Sequence, residues 1–188
     1  MHHKYSTRAI VLARRPLAEA NILLVLLTDL LGLVMVRAQG LRKGSSKLAH
    51  ALQTLSESNI MLVRGREGWR LTGAILQEAH AGKMTAAARA RAARTAELLF
   101  RLVGGESHDE AFFSVYRAFI EALPSLSEEQ AEVAEILAAL RILSALGLDA
   151  AEPEGTLTEY TPETLARALT KRTELIARIN RGIAASGL

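Results

Sequence analysis

Through the first 80 residues, apolar and polar positions alternate in short runs; beyond them apolar residues recur at three- and four-residue spacing to the end of the chain. The first texture predicts strands and the second helices. Tyr5 to Arg14 is mostly Thr, Ile, Val and Ala and ends at Arg14-Arg15-Pro16. Ile22 to Thr28 and Leu33 to Ala38 flank Asp29-Leu30-Leu31-Gly32, a hairpin turn in composition, so a three-stranded meander is expected. Ser45 and Ser46 are candidate caps for a short helix carrying Leu48, Leu52 and Leu55 at helical spacing. Ser58 to Arg64 and Trp69 to Leu76 follow, joined through Arg64-Gly65-Arg66-Glu67-Gly68. The order β-β-β-α-β-β is the layout of a small OB barrel, whose second and third strands and flanking loops form a ligand face.

From Lys83 the sequence is alanine-rich and helical. Thr85 to Val103 stops at Gly104-Gly105, and Asp109 to Leu123 stops at Pro124. Ser127-Glu128-Glu129-Gln130 is a capping box opening a helix through Leu146, with Gly147 as its stop. Residues 149–160 form an acidic connection, after which Thr161-Pro162-Glu163 opens one long final helix ending near Ser186-Gly187. The expected fold class is therefore α+β: a five-stranded OB-fold barrel over residues 1–80 and an all-α bundle over 81–188. No repeat period runs through the bundle.

Composition narrows the function classes. About half of the 188 residues are hydrophobic, enough for a packed core. The absence of cysteine removes disulfides, thiolate metal sites and cysteine nucleophiles. The most apolar run, Ile22 to Val36, is shorter than the roughly 20 residues of a spanning helix and contains Asp29 and Gly32. Met1-His2-His3-Lys4-Tyr5 has no apolar signal region, and a cytoplasmic protein without a membrane segment is expected. The net charge of +3 is unevenly divided: residues 1–80 carry 11 Lys and Arg against 5 Asp and Glu, residues 81–188 carry 12 against 15. The halves are +6 and −3, so the first half is the one expected to attract polyanions.

The basic residues cluster in particular segments. Ala38-Gln39-Gly40-Leu41-Arg42-Lys43-Gly44-Ser45-Ser46-Lys47 holds three cations in ten residues. It is not a Walker A loop, because Gly44 is followed by Ser45 and two of the cations precede it. It reads as a basic strand-to-helix loop in which Arg42, Lys43 and Lys47 reach phosphates, or as a solvated loop with a capping serine. Arg14 and Arg15 fall in the first inter-strand loop, Arg37 at the end of the third strand, and Arg64, Arg66 and Arg70 around the last hairpin. In an OB barrel these segments rim one face. Trp69 and Tyr5 are the nearby aromatics able to stack on a base, and both are equally natural core residues. With so few aromatics, binding is expected to be electrostatic, without sequence preference and steeply salt-dependent.

The same residues carry a family resemblance. Thr7-Arg8-Ala9-Ile10-Val11-Leu12, Glu19-Ala20-Asn21-Ile22-Leu23, Leu27-Thr28 with Gly32-Leu33, Ala38 to Lys43 with Ser46-Lys47-Leu48, and Leu52-Gln53 resemble the N-terminal domain of the RecO DNA-repair proteins. Arg64-Gly65-Arg66 before Trp69-Arg70-Leu71-Thr72-Gly73 continues the likeness, and Leu140-Arg141-Ile142-Leu143 through Leu148 is similar to a leucine-rich helix of the family. The resemblance implies an OB-fold and a helical domain, binding to single- and double-stranded DNA, and annealing of complementary strands. It also implies loading of the recombinase RecA, together with the partner RecR, onto DNA coated by single-stranded DNA-binding protein. Asn21 and Gln39 stand where the family favours an acid and a lysine, and Thr54-Leu55 where it favours a proline and an aromatic. The four-cysteine zinc module of many members is missing, with the acidic 149–160 connection in its place, so neither zinc nor another cofactor is expected.

No catalytic constellation emerges. His50, His80 and His108 lack metal-ligand spacing, and consecutive Ser107-His108-Asp109 cannot form a triad. Glu128, Glu129, Glu132 and Glu135 read as a solvated helix face rather than a paired-carboxylate site. Phe100, Phe112, Phe113, Tyr116 and Phe119, with the Leu137, Leu140, Leu143 and Leu146 stripe, read as bundle core. The expected function is that of a non-enzymatic recombination mediator. A protein-protein adaptor and an RNA-binding OB module are the alternatives the residues leave open.

Overall fold

A computed structural model describes residues 3–17, 21–39, 47–103, 106, 110–151 and 154–187. Its described residues divide into two compact units, one of residues 1–83 with 105–113 and one of residues 84–104 with 114–188.

In the first unit, β1 (Lys4–Pro16) is long enough to serve two partners. Lys4 to Ile10 pair antiparallel with β4 (Ser56–Gly65), and Ala9 to Pro16 pair with β2 (Asn21–Thr28). A register shift between Val11 and Ala13 bends the strand from one neighbour toward the other. β3 (Gly32–Gln39) pairs with β2, β5 (Gly68–Ala79) pairs with β4, and two parallel pairs, Val36 with Trp69 and Arg37 with Arg70, join β3 to β5. The result is a closed barrel in the order β1-β2-β3-β5-β4, with α1 (Lys47–Ala51) between β3 and β4: an OB-fold. Inward positions follow the period-two pattern: Val11, Leu24, Leu26, Val36, Ile60 and Leu62 fill the barrel, with Leu52 following α1.

Two details differ from the sequence expectation. α1 ends at Ala51, so Leu55 is not helical; it sits at φ 63°, where its amide donates to the Val11 carbonyl at 2.8 Å and its carbonyl accepts from His80. The proposed Ser45 and Ser46 caps lie outside the described residues. Gly32, at φ 68°, provides the left-handed residue of the β2–β3 turn, where the Thr28 hydroxyl accepts from Leu31 and donates to the Gly32 carbonyl.

The second unit is helical: α2 (Ala86–Leu102), most of α3 (Ala111–Ala122), α4 (Glu128–Ala145), α5 (Pro162–Thr170) and α6 (Arg172–Ala185). The Ser127 and Gln130 capping box is formed, and Thr85 and Thr161 cap α2 and α5. The final helix is not continuous: Lys171, at φ −100° and ψ 9°, divides it into α5 and α6. Gly182 lets α6 approach α4 closely, since a Cβ there would sit 3.0 Å from a Leu143 methyl. Tyr116 and Phe119 are core, as read from the sequence, and the Tyr116 hydroxyl donates to the Ala92 carbonyl at 3.0 Å. Of the α4 glutamates, Glu128 and Glu129 are exposed, as the sequence suggests, whereas Glu132 and Glu135 are half-buried. Glu135 holds Arg91 and Arg94 of α2, Glu128 also holds Arg91, and Glu132 holds Arg172 of α6. No helix among the described residues is long and apolar enough to cross a membrane.

Candidate nucleic-acid interface

Strand register sorts the basic residues. Arg15 stands opposite Leu23, Leu23 opposite Arg37, and Arg37 opposite Arg70, so one row crosses β1, β2, β3 and β5. Cross-strand partners share a face of the sheet. The row displaced by one residue, Leu24, Val36 and Trp69, is buried; Arg15, Arg37 and Arg70 therefore face outward together. At about 4.8 Å per strand, the row spans about 14 Å. Arg14 and Arg15 do not lie in an inter-strand loop, as the sequence suggests; both belong to β1, because the strand runs on to Pro16.

Arg14 leaves the set. It is half-buried on the opposite side of β1 from Arg15, and its Nη1 donates to Gln53 Oε1 at 2.7 Å, while Gln53 Nε2 donates to the Ala49 carbonyl. This pairs β1 with the end of α1 and gives Gln53 a structural role.

Arg66 and Glu67 form the two-residue tip of the β4–β5 hairpin, closed by the Gly65 and Gly68 pair, with Gly68 at φ 101°. Arg37, Arg66 and Arg70 line one shallow groove of about 370 Å³ with Gln39, Glu67 and Trp69. Glu67 reaches Arg37 and forms an exposed ion pair with it. Among the described residues no carboxylate pairs with Arg66 or Arg70.

Trp69 is not available as a stacking platform. It is 6% exposed and packed in the barrel core. Tyr5 meets it edge-on at 5.0 Å between ring centroids, and the Arg64 guanidinium lies 4.9 Å from the ring centroid. Its Nε1 donates to Glu106 Oε1 at 2.9 Å, and Arg64 Nη1 donates to the same oxygen. Arg64 is thus engaged by a carboxylate that sequence reasoning did not single out. The available signal for Trp69 is its place beside Arg70 in a strand: one step off an outward arginine, it points inward. Arg42 and Lys43 lie outside the described residues, as does the side chain of Lys47.

Elsewhere in the barrel, Asp29 accepts from the Thr7 hydroxyl, from the Arg8 amide at 3.1 Å and from Arg8 Nε at 2.9 Å. Partial burial alone would raise its carboxyl, but these bonds outweigh burial and hold it below its ordinary value. His80 and Glu57 face each other at 3.4 Å in a buried pair at the barrel end. Among the described residues no cluster of His, Asp and Glu is placed to hold a metal ion. The arrangement offers anion binding by an outward guanidinium row.

Comparison with known proteins bears on the same segment. Residues 1–79 match the family described as Recombination protein O N terminal. Proteins named DNA repair protein RecO from strains of Dehalococcoides mccartyi are 30% identical over 129 residues, covering 68% of this chain and 51% of theirs. A protein of that name from Heliobacterium modesticaldum is 31% identical over 173 residues, covering 85% of this chain and 62% of its own. The chain thus spans about half the length of the Dehalococcoides relatives it matches. With its closed five-stranded barrel over the matched residues, the chain belongs to the RecO family.

Proposed function

We propose that this chain acts in DNA repair and recombination as a non-catalytic mediator that holds DNA backbones on the outer face of its barrel. The observation that carries the reading is the row of Arg15, Arg37 and Arg70 on consecutive strands, extended by Arg66 at the hairpin tip. Guanidinium groups bind phosphate oxygens through paired donors, and contacts to the backbone carry no base information, so single and double strands of any sequence are ligands. Neutralising the phosphates of two strands lowers their mutual repulsion, which favours annealing of complementary partners without any bond being made or broken. The family membership supports a place beside RecR and single-stranded DNA-binding protein during recombinase loading; the basic row supplies the DNA-holding part of that task.

The test is binding of labelled single strands of unrelated sequence, followed by fluorescence anisotropy across a salt series, with an annealing assay on complementary strands. Equal affinity for unrelated sequences, steep salt dependence and accelerated annealing are expected. Absence of binding at low salt would refute the reading. Clear preference for a matched RNA strand would favour the RNA-binding alternative.

A further inference from the structure

Trp69 is buried, and its indole N–H is a donor that needs an acceptor, because a buried donor left unpaired loses its hydrogen bonds to water without replacement. The acceptor is Oε1 of Glu106, and Arg64 Nη1 converges on that same oxygen. Stacking of the Arg64 guanidinium over the indole fixes the two donors relative to each other. The barrel therefore holds a two-donor oxyanion cradle filled by one of its own carboxylates. Glu106 meets the barrel backbone through an isolated bridge to Gly32.

The cradle adjoins the candidate interface. Arg64 stands opposite Trp69, and the next pair along the hairpin is Val63 with Arg70; Arg66 lies two residues beyond Arg64 at the tip. A backbone phosphodiester, like a carboxylate, carries one negative charge shared by two oxygens, so it satisfies the same two donors. The Arg64 and Glu106 side chains are 52% and 45% exposed, so the ion pair between them is screened and readily exchanged.

We infer that the Arg64 and Trp69 donors form an anion site that accepts a nucleic-acid backbone phosphate in exchange for Glu106. This rests on the DNA-binding reading above and deepens it. Glu106 keeps the cradle satisfied while DNA is absent; on binding, its carboxylate swings to solvent and one negative charge leaves the path of the backbone. The site takes phosphodiesters from any strand, since neither donor reads a base.

Trp69 is the single tryptophan of the chain, so its emission reports the site without any substitution. Unlabelled oligo-dT is titrated into the protein at low salt with inner-filter correction, and anisotropy with labelled oligo-dT gives the binding curve. The expected result is a tryptophan emission change that saturates with the anisotropy. Glu106→Gln, which keeps an acceptor for the indole and removes the charge, is expected to bind oligo-dT about two- to fivefold tighter. A saturating anisotropy curve with unchanged tryptophan emission would overturn this inference and leave the DNA-binding reading standing, as would Glu106→Gln binding no tighter than the parent. No anisotropy rise at low salt would overturn both.

Discussion

Arg37 and Arg70 stand directly opposite each other across the parallel junction that closes the barrel, and both face outward. Like charges so placed oppose the pairing that holds them. Glu67 relieves Arg37, and no described carboxylate relieves Arg70. A stability-driven arrangement would not place them so; a phosphate-binding one would. Arg70→Gln is therefore expected to leave the melting temperature unchanged or slightly raised, while weakening binding to all DNA sequences alike. Scanning fluorimetry and anisotropy check the two halves of this expectation. A clear loss of stability with unchanged DNA affinity would contradict it.

Trp69 is a core residue with a hydrogen-bonded edge. Trp69→Ala is expected to destabilise the chain by about 3–5 kcal/mol, the range for emptying a large aromatic site. Urea unfolding measures this. A change below about 0.5 kcal/mol would show instead that the ring lies on the surface.

Asp29 links the β2–β3 turn to β1. Its carboxyl in the folded chain lies below the ordinary 3.8, so the unfolded chain holds the proton more tightly. The stabilisation is complete above pH 3.8 and fades as pH falls through the lower folded value. Asp29→Asn is expected to cost about 1–3 kcal/mol at neutral pH and to flatten the acid limb of the stability curve. Urea midpoints of parent and variant that fall in parallel with pH would contradict this.

Arg141 is 1% exposed in the helical unit. Its Nη2 donates to the Glu159 carbonyl at 2.6 Å and the Glu154 carbonyl at 3.2 Å, its guanidinium lies 4.5 Å from the Tyr160 ring centroid, and Nε and Nη1 have no hydrogen-bond partner among the described residues. Burial pushes the Tyr160 hydroxyl up to about 12, against a smaller opposing pull from Arg141. A buried charge with orphaned donors is poorly compensated, so an apolar chain of similar length is well tolerated. Arg141→Met is expected to stay within about 1 kcal/mol of the parent, whereas Arg141→Ala, which empties the space, loses about 2–5 kcal/mol. Equal losses for both would show that the charge itself holds the connection.

The barrel is legible in the sequence because its signals are local. The Thr, Ile, Val and Ala content of Tyr5 to Arg14, the turn at Asp29 to Gly32 and the glycines at Gly65 and Gly68 each name an element without reference to the rest. The site is only partly legible, because it depends on register. Arg15, Arg37 and Arg70 stand out as cations, but which of the basic residues share a face follows from pairings between strands far apart in sequence. The same limit explains the misreadings. Nothing local announces that Arg14 turns to Gln53, that Glu106 reaches Trp69, or that the α4 glutamates meet arginines of α2 and α6. The break at Lys171 is also invisible, since no proline or glycine marks it.

Phosphate binding by the outward arginines of the barrel is tested most directly by the slope of log affinity against log salt concentration for a single strand, comparing the parent with Arg37→Ala/Arg66→Ala/Arg70→Ala. With three phosphate contacts removed, the slope is predicted to fall in magnitude by about two, with the melting temperature retained. An unchanged slope in a folded variant would place the DNA elsewhere and contradict the account.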